Sequence, residues 1–326
     1  AQLGAPGDGS EGFRQIGHDN YLALTEIQGL QRSGNKVMIV VAEGEIVRGV
    51  QPQGLVGAVS LSQKLRQIAE DDEVKAVVLR INSPGGDSFA SEKIRRELQA
   101  LKEAGKTVVV SMSNVAASGG YWIAMGADEV WASPTTITGS IGVYGILPTF
   151  AQPLEKLGIR SDGVGTTRLA GKLRLDRPLD DDLRRIFQHM VERTYEDFVD
   201  LVAESRQKDR EEVLEVAQGR VWSGLQAKER GLVDQTGTLR QAADAAARIA
   251  GLGSDYDVVY DERELTAMEA LLIEMTGGIA AKFMPSMIHL PVIHNSLFEN
   301  IMEDLDLLLR SNDELTVAAH CLCDVE

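Results

Sequence analysis

The sequence is poor in several features that would indicate particular classes of protein. Only two of its 326 residues are cysteines, which is too few for a disulfide framework. They are Cys321 and Cys323, near the carboxyl end, and they lack the paired spacing of a zinc site. Lysine and arginine number 33 against 49 aspartates and glutamates, giving a net charge of -16. Because nucleic-acid backbones are bound through clustered basic residues, we expect no nucleic-acid partner.

Long hydrophobic runs are also missing. No run approaches the roughly 18 apolar residues that span a bilayer, and the first ten residues lack the basic and apolar regions of a signal peptide. The chain begins with alanine rather than methionine, so we expect that a preceding segment has been removed. The remaining composition, 44% hydrophobic and 25% charged, is typical of a globular protein.

Short apolar runs alternate with amphipathic segments in the first part of the chain. The runs at 36–42, 76–81 and 107–112 are rich in β-branched residues and predict buried strands. Helical spacing between them predicts helices at 57–71 and 88–104. This alternation predicts parallel βαβ units and therefore an α/β fold.

The later sequence has a more helical character. Residues 179–206 predict one long amphipathic helix whose acidic beginning suits the positive end of the helix dipole. Further helices are expected at 223–230 and 238–250. We therefore predict a leader and linker at 1–33, an α/β domain at 34–252 and a helical carboxyl-terminal extension at 253–326.

Two predicted strands end in a pair of glycines. One pair lies in residues 84–86, and the other is Gly119 and Gly120 after Ser118. Ligands of parallel sheets bind at the carboxyl ends of the strands, and glycine lets backbone N–H groups approach them. Such donors can hold an oxyanion, an effect of about 3–4 kcal/mol per donor. Ser118 is therefore a candidate nucleophile; alternatively, it is a helix N-cap and the glycines are turn residues.

A serine nucleophile needs a base. No histidine lies at a strand end of the predicted core; the five are His18, His189, His289, His294 and His320. A serine–lysine dyad remains, in which burial lowers the pKa of the lysine so that it is neutral. Lys172, in the polar loop before the long helix, is the candidate base. Its alternative role is that of a solvated surface lysine between Arg168 and Arg174.

Four ordered blocks resemble peptidase family S49, which has the ClpP/crotonase-like fold. They are residues 81–86 (INSPGG), 116–122 (AASGGYW), 138–142 (TGSIG) and 219–224 (GRVWSG). The resemblance covers roughly residues 34–250. It implies that Ser118 is the nucleophile and that Gly86 and Gly119 offer the oxyanion-hole amides. It also implies that Ser140 hydrogen-bonds the base lysine.

The resemblance implies a serine endopeptidase that degrades hydrophobic peptides such as cleaved signal peptides, without metal or cofactor. It further implies a homo-oligomer in the cell envelope, associated with the inner membrane, with its active site facing the periplasm or exterior. Apolar stretches at 267–275 and 279–291 would favour association, and a contact with the membrane surface is a further interpretation.

The lysine departs from the family pattern. In the short form of the family the base usually follows a tyrosine, which residues 168–172 lack. In the long, two-repeat form the nucleophile lies in the second repeat and the lysine in the first. This sequence resembles that second repeat, including its cysteine-containing end. Two alternatives to a complete peptidase therefore stay open: a half that is non-catalytic or needs a lysine from another repeat, and a crotonase-like acyl-CoA enzyme.

Overall fold

The computed structural model describes residues 33–52 and 54–261, together with the backbone of residues 318–320. The strands are β1 (Lys36–Glu43), β2 (Glu45–Val47), β3 (Leu55–Gly57), β4 (Val74–Ser83), β5 (Gly85–Asp87), β6 (Thr107–Ala117), β7 (Glu129–Ala132), β8 (Ile137–Gly139), β9 (Val221–Ser223), β10 (Gln235–Thr236), β11 (Asp257–Tyr260) and β12 (Ala318–His320). The helices are α1 (Ala58–Glu70), α2 (Ser88–Glu103), α3 (Gly119–Ala124), α4 (Ala151–Lys156), α5 (Asp181–Arg206), α6 (Arg210–Val216), α7 (Gly224–Glu229) and α8 (Leu239–Ile249).

The main sheet contains eight of these strands. Six follow the order β10-β7-β6-β4-β1-β11, while β8 pairs with the end of β6 and β9 pairs with β8. Every pairing is parallel except that of β8 with β9. This arrangement confirms the predicted α/β class. Because parallel strands end at one edge, the segments that follow β4, β6 and β8 lie close together.

A smaller sheet crosses this edge, with the order β12-β5-β2-β3. One of its two inner strands, β5, follows β4 after a single proline and pairs in parallel with β2 through Ile46 and Gly86. On its other side β5 pairs with β12 in the antiparallel direction. The glycine run after β4 is therefore a strand of its own, held on both sides.

Helices cover both faces of the main sheet. On one face α1 and α2 bury apolar side chains such as Leu65, Ile94 and Leu98 against the strands. On the other face α8 packs through its alanines, which lie against residues such as Val78 and Val109. The small alanine side chains let α8 approach the sheet closely. Because helices bury both faces of the main sheet, the positions of its strand ends are fixed.

The predicted strands and helices are confirmed in the described residues, including the long helix α5 with Asp180 as its N-cap. The predicted domain boundary at residue 252 divides the observed sheet, because β11 lies beyond it and pairs with β1. The predicted leader, most of the predicted extension at 253–326, its apolar stretches and the cysteine pair lie outside the described residues.

Candidate active site

Ser118 lies at the turn between β6 and α3. Its backbone has φ 51° and ψ -115°, a left-handed conformation that side-chain-bearing residues rarely adopt and that costs of order 1–3 kcal/mol. Two backbone hydrogen bonds hold it there: the Ser118 N–H donates to the Gly139 carbonyl over 2.9 Å, and the Trp122 N–H donates to the Ser118 carbonyl over 2.8 Å. Strained strand-to-helix turns of this kind often carry catalytic nucleophiles.

The Ser118 side chain does not act as a helix cap. It is fully buried, it makes no capping hydrogen bond, and its Oγ has no hydrogen-bond partner among the described residues. A buried hydroxyl without a partner costs about 1–3 kcal/mol, so the site retains a group that is unfavourable for folding. The N-cap interpretation of Ser118 is therefore wrong, and the hydroxyl is available to a reacting group.

Gly86 occupies a position that only glycine can fill. Its φ is +145°, and a Cβ built on it would lie 2.0 Å from the carbonyl oxygen of Ile46 in β2. The next residue, Asp87, accepts a hydrogen bond from the Ala90 N–H over 2.6 Å at the start of α2 and one from Arg48 Nε over 3.0 Å. These contacts fix the backbone of β5 beside the end of β4.

Ser140 follows β8 as Ser118 follows β6. It too is left-handed, with φ 50°, and its N–H donates to the Arg220 carbonyl over 2.8 Å. Ala117 and Gly139 are register partners, so the two serines follow neighbouring strands, which are roughly 4.8 Å apart in a sheet.

Two further residues fix β8, and we did not single them out from the sequence. The buried Thr138 hydroxyl donates to the Ala116 carbonyl over 2.7 Å and so joins β8 to β6. A Cβ on Gly139 would lie 2.9 Å from Trp222 Cδ1, which shows how closely β9 approaches. Thr138 and Gly139 both lie in the block 138–142 that carries the family resemblance. That block was the sequence signal that could have identified them.

The site therefore gathers at the carboxyl edge of β4, β6 and β8. Ser83 and Ala116 are register partners, and a Cβ on Gly120 would lie only 3.1 Å from the Ser83 carbonyl oxygen. This packing brings the start of α3 against the end of β4, directly before β5. Four of the five predicted site residues lie here: Gly86, Ser118, Gly119 and Ser140.

The structure places Lys172 elsewhere. It lies in the segment before α5, where its Nζ is 2.8 Å from Asp180 Oδ2 and 3.7 Å from Asp182 Oδ2. The hydrogen bond from Lys172 lowers the pKa of the Asp180 carboxyl. No contact of Lys172 with Ser118 or Ser140 occurs in the described structure. Its role as the base stays a prediction.

The other lysines of the described residues do not hydrogen-bond Ser118 Oγ either. The buried Lys106 donates from its Nζ to the carbonyls of Asp71 and Val74, near the start of β6 and hence at the opposite edge of the sheet. Several others form ion pairs with carboxylates: Lys36 with Glu73, Lys64 with Asp261, Lys102 with Asp128 and Lys208 with Glu212.

A charged network supports α3 behind Ser118. The Trp122 Nε1–H donates to Glu92 over 2.9 Å, and the Trp122 ring lies 4.6 Å from that of Phe198. Burial alone would raise the pKa of Glu92, but hydrogen bonds from Arg95, Trp122 and Arg96 lower it to about 2. The helix that follows the nucleophile is thus anchored to both α2 and α5.

Comparison with known proteins agrees with this geometry. Residues 100–253 match the model of peptidase family S49. A candidate protease of Synechocystis sp. is 37% identical over 66% of this chain and 76% of its own length. The chain belongs to peptidase family S49. It is also 38% identical to Protease 4 of Salmonella typhi over 95% of this chain but 49% of the relative. The chain thus spans about half the length of the first curated relatives that it matches.

A solved structure of a ClpP1 mutant from Listeria monocytogenes is similar over 68% of this chain and 99% of its own, with 19% identity and a TM-score of 0.42. The residues that match the model of family S49 include Ser118 and Ser140. No helix of the described residues is long and apolar enough to cross a membrane.

Proposed function

We propose that this chain carries the nucleophilic half-site of a serine peptidase. The observation that carries the proposal is Ser118, a buried hydroxyl without a partner in the described structure, held in a strained turn beside glycine amides. In this mechanism Ser118 Oγ attacks the carbonyl carbon of a peptide bond and gives its proton to a base. The N–H groups of Gly86 and Gly119 donate to the oxyanion. The base then passes this proton to the leaving nitrogen and the amine departs. Water hydrolyses the acyl-enzyme and restores the Ser118 hydroxyl.

The base is a neutral lysine oriented by Ser140. We propose that it comes from outside the described residues, from another repeat of a longer protein. Two observations support this: Ser118 Oγ accepts no hydrogen bond from a described lysine, and Lys172 Nζ lies 2.8 Å from Asp180 Oδ2. Lys172 is the alternative base, and it would have to leave Asp180 in order to act.

The substrates are extended, hydrophobic peptides such as cleaved signal peptides, processed in the cell envelope. The large apolar side chain of Phe89 supports this preference, since Phe89 follows β5 by two residues and is 65% exposed. Many apolar side chains are also exposed between residues 146 and 175, which supports assembly into a homo-oligomer. They are Ile146, Phe150, Leu157, Ile159, Val164, Leu169, Leu173 and Leu175.

A fluorophosphonate probe tests the peptidase proposal, because it reacts covalently with activated serines. In the chain joined to a repeat that supplies the lysine, which is the form used in every labelling and activity assay below, we expect labelling of Ser118, identified by peptide mass mapping, and no labelling of the Ser118→Ala variant. Labelling of Ser140 alone, or no labelling of a folded protein that carries both this chain and a repeat with the lysine, would contradict the proposal. The strained serine turn also favours a peptidase over the acyl-CoA alternative, in which paired amides would act without a nucleophile.

A further inference from the structure

Part of one face of the main sheet is not covered by the described residues. Helix α8 covers this face as far as Ile39 in β1 and Val78 in β4, both of which are buried. Because side chains alternate along a strand, Val41 and Arg80 lie two residues further along on the same face, and the two are register partners. Val41 is 52% exposed, although β1 is an inner strand of the sheet. The described structure therefore leaves a row of side chains open beyond α8.

Tyr260 extends this open row to the edge strand β11. It follows Val258 by two residues, and Val258 packs against the cluster under α8, so Tyr260 lies on the same face. Its register partner in β1 is Ile39, and 57% of Tyr260 is exposed. The open patch, as we name this surface, combines an aliphatic side chain, an aromatic ring, a cation and two hydroxyls. These are Val41, Tyr260, Arg80, Ser111 and Ser113.

Arg80 supplies the positive charge of the open patch, and its guanidinium is held in place on the sheet. Its Nη1 donates to Ser111 Oγ and to the Met112 carbonyl, and its Nη2 donates to Ser113 Oγ, each over 2.9 Å. All three acceptors are neutral, and burial lowers the pKa of Arg80. Three of the five donors of an arginine are thus used in the described structure, and two remain, enough for both oxygens of a carboxylate.

Two carboxylates flank the open patch, and both have other partners. Glu43 accepts a hydrogen bond from Asn82 Nδ2 over 3.0 Å, and Asp261 forms an ion pair with Lys64 of α1, the helix on the opposite face of the sheet. No described carboxylate forms an ion pair with Arg80, and among the described ionisable groups only a tyrosine adds a charge effect to its pKa. A partly buried cation without a counter-charge is unfavourable, so the patch is suited to a ligand that brings a negative charge.

We propose that the open patch binds a segment of a partner protein in which an acidic side chain lies next to large apolar ones. The carboxylate pairs with the Arg80 guanidinium, and the apolar side chains lie over Val41 and the Tyr260 ring. The three strands β11, β1 and β4 together span about 10 Å, which is the reach of about three residues of an extended segment. The patch lies on the face of the sheet opposite to α3, so this binding does not use Ser118 and goes beyond the proposed function.

A library of short random peptides displayed on phage tests the proposal without knowledge of the partner. The peptides are fused through their carboxyl ends to a coat protein, so only aspartate and glutamate side chains can supply the carboxylate. The library is selected on the immobilised chain, and the enriched peptides are synthesised with amidated ends for binding measurements. We expect these peptides to carry an acidic residue next to large apolar ones, and to bind Arg80→Gln about tenfold more weakly or worse than the parent.

Two substitutions of exposed apolar residues form a matched pair, and they serve also if Arg80→Gln fails to fold. Val41→Glu places a carboxylate beside Arg80 and should abolish binding. Leu225→Glu, at a residue of α7 that is 54% exposed, should leave it unchanged. Binding to Ser118→Ala should equal binding to the parent, so failure of the peptidase proposal would not affect this result.

Two results would overturn the inference. One is a selection that enriches no acidic peptides; a large loss of stability of Arg80→Gln in urea would then show that residues of the chain itself cover the patch. The other is binding that survives both Arg80→Gln and Val41→Glu, since the peptides would then bind at another surface.

Discussion

Replacing Gly86 with alanine should damage both the stability and the chemistry of this protein. The new Cβ would lie 2.0 Å from the Ile46 carbonyl oxygen, and the backbone would keep a φ of +145°. Overpacking of this kind costs about 1–3 kcal/mol, and a backbone in a region reserved for glycine costs about 1–3 kcal/mol more. We therefore expect Gly86→Ala to lower the free energy of unfolding by about 2–6 kcal/mol, a large share of the roughly 5–15 kcal/mol of a typical domain.

Gly105→Ala is the matched control for the backbone effect. Gly105 also has a positive φ, +81°, but a Cβ there would meet nothing within 4 Å. Its substitution should cost only the left-handed conformation, about 1–2 kcal/mol. Urea unfolding followed by circular dichroism gives both values. The difference between the two variants measures the clash with β2.

The activity of the folded Gly86→Ala variant tests the role of the Gly86 amide. If β5 moves to relieve the clash, this donor leaves the oxyanion, and loss of one such donor costs about 100- to 1,000-fold in kcat. Fluorophosphonate labelling should slow in parallel, while Gly105→Ala labels at the parent rate. Equal stability of the two variants, together with undiminished labelling of Gly86→Ala, would refute the reasoning.

Three further predictions concern single side chains. Ser118→Ala should abolish labelling. It should also leave the free energy of unfolding unchanged or higher by about 1–3 kcal/mol, because it removes a buried hydroxyl that lacks a described partner. A clear loss of stability in urea would contradict this second expectation. Lys172→Met should leave the labelling rate unchanged, and a loss of labelling at full folding would identify Lys172 as the base. Glu92 has its pKa lowered from 4.5 to about 2 in the folded chain, so its stabilising effect is present above pH 4.5 and is lost as the pH falls towards 2. The melting temperature should therefore fall more steeply over this range in the parent than in Glu92→Gln, and parallel curves would exclude the effect.

The α/β fold could be predicted because its signals are local. Each buried parallel strand is an apolar run with β-branched residues, and each helix between the strands has a 3.6-residue period. β11 was harder to predict, because three of its four residues are only partly buried, the fourth is exposed, and the strand lies at the edge of the sheet. Its place beside β1 depends on pairing between residues more than 200 positions apart in the sequence. Sequence periodicity carries no information about such a pairing.

The candidate site could be predicted from the sequence only in part. Glycines and a serine at strand ends indicated Ser118, Gly86 and Gly119, since those positions depend on backbone conformation that residue type reflects. Lys172 had no comparable signal: a lysine in a polar loop can face a nucleophile or a carboxylate equally well, and in the structure it faces Asp180. The β12 strand could not be predicted at all, because Ala318–His320 has no pattern that specifies β5 as its partner.

The positions of Ser118 and Ser140 are fixed by two backbone hydrogen bonds and one hydrogen bond from a threonine side chain. The Ser118 N–H bonds to Gly139, the Ser140 N–H bonds to Arg220, and the Thr138 hydroxyl joins their two strands. None of these contacts involves a lysine, so the turns that hold the two serines do not depend on the base. The positive φ of both serines is present in this chain as it stands. If the base comes from another repeat, as we propose, the half-site would react only when that repeat places a neutral lysine beside Ser118 Oγ.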